Sequence, residues 1–375
     1  MVILPGGQVD QMNGGSEAAA LADLYEAFRE RNLAPLWTEI ANLMPTCPAP
    51  RAQAHHWSWP ELYRLAQRSA DLVPVGRGGE RRAIALANPG LAGLPFATPT
   101  LWAAIQYLGP GEDAPEHRHS QNAFRFVLEG EGVWTVVDGD PVAMRRGDLL
   151  LTPGFRFHGH HNVAREPMAW LDGLDIPLVH HIDAGFFETG SEGPSVRDTP
   201  ARCRAERVWG HPGLIPTAER APKAASPLVA YRWEHTNRAL DDQLELEDAG
   251  YHDATFERSH AAVTYTNPVG GDILPTIRAE FHRLRAGART QSRREVGSSV
   301  WQVFQGAGMA TIGDVSYRLV TGDLFAVPSW KALQIQAEVP LDLFRFSDAP
   351  VFEALGFARV ELDESVAASA DPRRP

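Results

Sequence analysis

The chain has 375 residues, enough for one large or two ordinary domains, and its 44% hydrophobic and 22% charged residues are the balance of an ordinary globular protein. A formal charge of −12 argues against a nucleic-acid partner, because a phosphate backbone needs a basic face. Cys47 and Cys203 are the only cysteines and stand far apart, which excludes a disulfide framework and a thiolate metal site.

Residues 1–15 are glycine-rich and are expected to lack order; MVILPGGQ has no basic stretch followed by an apolar run, so it does not read as a secretory signal. No run of about eighteen apolar residues exists, so no membrane span is expected, and the cytoplasm is the default compartment. Ser16 can cap a helix through EAAALADLYEAFRERN, where Leu21, Leu24, Tyr25 and Phe28 recur at helical spacing. LAPLWTEIANLMP and HHWSWPELYRLAQRSADLV follow, anchored by Leu36, Trp37, Met44 and Trp57. His55 and His56 read as polar surface in a connection. RRAIALAN and PTLWAAIQYL lead into a β-rich stretch, where Trp102, Ala104 and Gln106 fall on one strand face and Leu101, Ala103 and Ile105 on the other.

The stretch from Gly109 to Asp175 organises the rest. His117 and His119 flank Arg118, so an extended strand points both imidazoles to one face. His158 arrives after the apolar runs FRFVLEGEGVWTVV and GDLLLTP, which read as paired strands joined by glycine turns. Three imidazoles on a β scaffold, without a thiolate, suit a borderline divalent metal such as iron, zinc or copper. Residues 179–241 show little regular pattern; His180, His181 and His211 lie there with no necessary role. A second β-rich stretch then repeats the first: EGEG at 129–132 corresponds to QGAG at 305–308, and RRGDLLLTP to VTGDLFAVP. At the histidine positions it carries Arg293, Glu295 and Leu333. Leucine offers no ligand and an arginine repels a cation, so this copy is expected to be metal-free, covering sheet edges and building subunit contacts.

The histidine motifs resemble those of the cupin superfamily. Gly111, His117, His119 and Gly130 match its first motif, with Ala123 where a glutamate is expected; Gly147, Pro153, His158 and Asn162 match its second, with Phe155 replacing the inner glycine. Loss of the glutamate implies a three-histidine site and argues against the manganese oxalate-degrading cupins. ERRAIALANPGL, LWAAIQYLGP, APEHRHSQNAFRFV, LLLTPGFRFHGHHN and MAWLDGLDIPL further resemble the gentisate 1,2-dioxygenase and salicylate 1,2-dioxygenase family, over most of the chain.

The resemblance implies an all-β-dominated bicupin: two tandem double-stranded β-helix (jelly-roll) barrels with an N-terminal helical arm. The expected boundaries are an arm at 1–76, a metal-bearing barrel at 77–178, a connector at 179–255, and a metal-free barrel with its tail at 256–375. It implies one Fe(II) per chain on His117, His119 and His158, with O2 as co-substrate and a small aromatic hydroxy acid chelating the metal. Arg125 would hold the substrate carboxylate, with Arg81 a second anionic anchor. His160 would hydrogen-bond substrate or dioxygen, with Asp172 orienting it. An acidic chain that handles an aromatic acid must concentrate positive charge locally, and Arg77, Arg81, Arg82 and Arg125, together with the metal, could supply it. Leu36, Met44, Ala83, Trp102, Ala104 and Gln106 would form the walls, the arm wrapping the barrel. His161 would face away from His160. The expected reaction opens gentisate to maleylpyruvate in a homotetramer; the alternatives are the same chemistry on salicylate, 5-substituted salicylates or 1-hydroxy-2-naphthoate, or a non-catalytic bicupin for binding or storage.

Overall fold

The computed structural model describes residues 14–74, 82–190, 198–219, 221, 223–251 and 258–362. The expectation of disorder at 1–15 falls, for 1–13, outside the described residues, as do Arg77 and Arg81. The chain divides into two compact units, 1–49 and 50–375. In the first, helix Gly14–Glu30 meets helix Leu36–Leu43 through an edge contact of Phe28 with Trp37, ring centroids 6.2 Å apart, and the Trp37 indole donates to the Tyr25 hydroxyl at 3.1 Å.

The second unit holds two jelly-roll barrels, each a six-stranded sheet with a five-stranded sheet. The first barrel has Ala83–Ala85, Trp102–Leu108, Met168–Leu174, Ala123–Glu129, Leu149–Thr152 and Ala230–Tyr231 in one sheet, in that spatial order. Its other sheet runs Phe187–Thr189, Asp113–His119, His158–Asn162, Glu131–Val137 and Asp140–Arg145. The second barrel repeats the plan with strands between His260 and Leu362, plus His55–Trp57 at one edge. Alternation along Ala123–Glu129 does two jobs. Phe124 and Phe126 point outward into a core shared between the barrels, where Phe126 stacks on Phe344 at 4.1 Å; Ala123 and Arg125 point the other way, into the barrel.

The repeated glycine–aspartate pair has a physical reason in each copy. Gly147 has φ +86 and Gly322 φ +94, and a Cβ at either would collide with the Trp233 or Trp59 indole. The following aspartates, Asp148 and Asp323, accept from the first backbone amides of helices Trp233–Asp248 and Trp59–Leu72, both at 3.0 Å. Helix Trp59–Leu72 packs on Trp102–Leu108 of the first barrel, yet its N-terminus is held by Asp323 of the second, and the strand before it, His55–Trp57, pairs with Leu324–Val327. Helix Trp233–Asp248 mirrors this: it packs on His260–Thr264 of the second barrel while Asp148 of the first holds its N-terminus, and Ala230–Tyr231 pairs with Leu149–Thr152.

Two expectations need correcting. His55 and His56 lie in a strand, not a connection; His56 Nε2 is 2.9 Å from Asp323 and His55 meets Trp57 edge-on. The stretch from 179 to 241 contains the start of a sixteen-residue helix, Trp233–Asp248, whose many acidic and polar residues hid a narrow core-facing stripe of Thr236, Leu240 and Leu244, of which only the two leucines are apolar. Phe155, replacing the cupin glycine, adopts φ +62, the left-handed region that glycine favours, and its counterpart Trp330 does the same at φ +63.

Candidate metal centre and substrate cavity

His117 and His119 stand on strand Asp113–His119, and His158 opens the neighbouring strand, where it is the register partner of His117. One ligand nitrogen from each lies within 4.8 Å of the others, and the ring centroids are 4.3–5.6 Å apart. The hydrogen bonds settle the tautomers. His117 Nδ1 is 3.1 Å from the Pro115 carbonyl, His119 Nδ1 2.9 Å from that of Gln121, and His158 Nδ1 2.9 Å from that of Arg156. A carbonyl only accepts, so each Nδ1 is the donor and each Nε2 keeps a lone pair for a cation. Burial, then Arg125 and the two other imidazoles, hold His158 well below the usual histidine range and therefore neutral. The donor set fits a divalent metal with nitrogen affinity.

A cavity of about 430 Å³ opens beside the triad. Ala83, Trp102, Gln106, Arg125, His160 and Asp172 line it together with His117, His119 and His158, so the structure brings together nine of the residues singled out from the sequence. Arg125, 4% exposed, donates to the Thr152 hydroxyl at 2.5 Å, and its Nε lies 3.5 Å from Asp172, an ion pair without hydrogen-bond alignment. The Asp172 carboxyl is pushed up to about 6 by burial, against the pull of Arg125 and of the Trp170 indole that donates to it at 3.1 Å. His160 is buried and kept neutral by desolvation and by Arg125; its Nδ1 has no protein partner, and its ring packs 5.3 Å from Trp170. His161, next on the strand, points to the opposite face and contacts Asp113 at 2.9 Å.

Two other expected residues, Ala104 and Arg82, do not line the cavity. Ala104 is fully buried opposite Asp172 and does not line the cavity. Arg82 does not join an anion-binding cluster: it is consumed by an ion pair with Glu112 and by the carbonyls of Val73 and Tyr107. Leu36 and Met44 are exposed side chains of the first compact unit. His180 packs against Phe96 and His211 meets the Arg207 carbonyl. Sequence reasoning missed Gly185, Phe186 and Phe187, which line the cavity, Phe187 lying face-on to His117 at 5.4 Å. The signal was there in FFET, a short β-prone run after a glycine, which pairs along the strand that carries His117 and His119.

In the second barrel Arg293 and Leu333 are register partners, as His117 and His158 are in the first. Glu295 instead pairs with buried Arg345. Glu295→Ala is expected to leave metal content unchanged while costing about 1–3 kcal/mol of stability, since Arg345 loses one of two carboxylates. Metal analysis beside denaturant unfolding checks both halves; a lost metal ion would place a ligand in this barrel.

Two jelly-roll barrels in one chain, one of them presenting three clustered imidazoles beside a buried arginine, define a bicupin with a metal-type site. A family model described as Cupin domain matches residues 104–174. A gentisate 1,2-dioxygenase of Streptomyces sp is 59% identical over 95% of this chain and 99% of its own length. A 5-aminosalicylate 1,2-dioxygenase of Comamonas sp is 32% identical over 90% of this chain and 88% of its own. The crystal structure of salicylate 1,2-dioxygenase from Pseudoaminobacter salicylatoxidans, an adduct with gentisate, is 56% identical and superposes with a TM-score of 0.90, over 95% of this chain and 96% of that one. The chain belongs to the gentisate and salicylate 1,2-dioxygenase family of ring-cleaving bicupins.

Proposed function

We propose that the chain is an Fe(II)-dependent dioxygenase that opens gentisate between its carboxyl- and hydroxyl-bearing carbons to give maleylpyruvate, one iron per chain. The observation that carries this reading is the pairing of a three-histidine face with a buried arginine in one cavity. When bound, Fe(II) would supply a divalent centre for the chelating carboxylate and hydroxyl of the substrate and a redox-active path for electrons from the ring to dioxygen. The protein's own residues do the rest. Arg125 presents a fork to the substrate carboxylate, and a low-dielectric wall strengthens that charge-assisted bond. Asp172 balances the arginine. His160, which lines the cavity, offers its imidazole to a substrate or dioxygen oxygen. Trp102, Phe186 and Phe187 confine the ring and exclude water. Arg81 as a second anionic anchor, Arg77 as a substrate-binding residue, assembly as a homotetramer and a cytoplasmic location belong to the same reading. No helix among the described residues is long and apolar enough to cross a membrane.

Gentisate is expected to react with the highest kcat/KM. Its 5-hydroxyl, para to the 2-hydroxyl that would chelate the metal, donates electrons to the ring that must reduce dioxygen; salicylate lacks that donor. A second reading, salicylate as the true substrate, is supported by the similarity to the salicylate 1,2-dioxygenase. Oxygen uptake at saturating iron on gentisate, salicylate, 5-substituted salicylates and 1-hydroxy-2-naphthoate decides; a higher kcat/KM on salicylate selects the second reading.

The pH profile gives an independent check. Asp172 loses its charge as pH falls through about 6, so kcat/KM is expected to decline there, and Asp172→Asn to be weaker throughout but flat across that limb. Stability moves oppositely. The folded pKa lies above the unfolded one, so the contribution of Asp172 to folding is present at low pH and fades as pH rises through about 6. An unchanged acidic limb in Asp172→Asn assigns it to another group.

A further inference from the structure

The second barrel also encloses a cavity, of about 200 Å³, at the positions that form the metal cavity in the first. Arg345 stands opposite Trp301 as Asp172 stands opposite Arg125, and Glu280 stands opposite Arg345 as Ala104 stands opposite Asp172. The buried cation has therefore changed strands but still lines the barrel interior. A barrel kept only as scaffold gains most from a filled apolar interior, because an arginine set between two carboxylates costs desolvation that well-packed hydrophobic residues avoid. Here the charges were retained and the space was left open.

The charge count gives the sign of an occupant. Among the lining residues Arg293, Lys331 and Arg345 face Glu280 and Glu295. Both carboxylates are engaged, Glu280 with Arg345, and Glu295 with Arg345 and, at 3.1 Å, with Arg293. The positive charge in excess is that of exposed Lys331 at the rim. Deeper in, Leu284, Trp301, Val327, Leu333 and Ile335 form an apolar wall, with Leu333 where the first barrel has His158. We propose that this cavity is a second binding site, for a small organic monocarboxylate with an aromatic or apolar body, its carboxylate toward Lys331 and its body against Trp301 and Leu333. The site is distinct from the ring-opening centre and does not depend on the substrate assigned there.

The test is calorimetry with benzoate, which lacks the hydroxyl needed to chelate, on metal-loaded protein. Arg125→Leu removes carboxylate capture in the first barrel and is expected still to bind one benzoate per chain. In that background Lys331→Glu, an exposed change, is expected to weaken binding by about tenfold or more, and Leu333→Trp, which fills the cavity, to abolish it. Introduced alone, both substitutions are expected to leave oxygen uptake unchanged. Absence of benzoate binding to Arg125→Leu overturns the proposal, as does binding indifferent to Lys331→Glu, or capture of benzylammonium instead of benzoate. Oxygen uptake and benzoate binding are separate readouts, so failure of one reading leaves the other standing.

Discussion

Replacing His158 by alanine is expected to abolish metal binding and oxygen uptake together. His117 and His119 share one strand, and only His158, reaching in from its register partner, closes the set across the sheet. Two imidazoles leave a divalent ion without the facial arrangement that keeps it bound, and buried neutral donors cannot be replaced by a side chain already engaged elsewhere. Losses beyond about 100-fold in metal affinity are expected, since changes even to groups behind the ligands cost up to that much. His161→Ala is the control: its imidazole contacts Asp113 on the other face, so metal content should hold. Stoichiometric metal with normal turnover in His158→Ala would remove His158 from the centre.

Arg125→Leu is expected to cut kcat/KM by at least about 30-fold with metal content unchanged, which corresponds to about 2–5 kcal/mol lost with a desolvated charge pair. Arg125 is 4% exposed, so no water replaces it, and the change also strands the Asp172 carboxyl, which then stays protonated to higher pH. Arg125→Lys separates charge from shape. An ammonium restores the cation without the planar fork, so partial recovery is expected in KM more than in kcat. Full activity in the iron-loaded Arg125→Leu protein places carboxylate recognition elsewhere.

How much of this was legible in the sequence depended on the range of the interactions. Strand alternation is local, so HRH, the Trp102 and Gln106 face and the opposed His160 and His161 could be read directly from residue order. The internal repeat likewise announced two barrels. Long-range pairing was not legible. Nothing local shows that Arg82 is taken by Glu112, thirty positions on, or that Phe187 returns to lie on His117. Ala104 was placed on the correct face, but whether a small side chain on that face reaches open space depends on neighbours brought by other strands. His55–Trp57 is too short to announce itself as a strand, because its partner lies almost the whole chain away.

That distant partner bears on how the molecule can be taken apart. Each half of the chain, divided within 198–219, carries the helix of its own barrel but keeps the edge strand and the helix anchor that belong to the other's sheet. The halves are thus two hands clasped by the fingertips, and the half that supplies no metal ligand is a folding partner of the half that supplies all three. The clasp joins His56 to Asp323, 267 positions apart, and Asp148 to the Trp233 amide, 85 apart. Its closure therefore waits on loops of 85 and 267 positions and belongs among the late, slow events of folding. Either half made alone exposes an unpaired edge and an uncapped helix, whereas both halves made together contain everything needed to restore the metal centre by complementation.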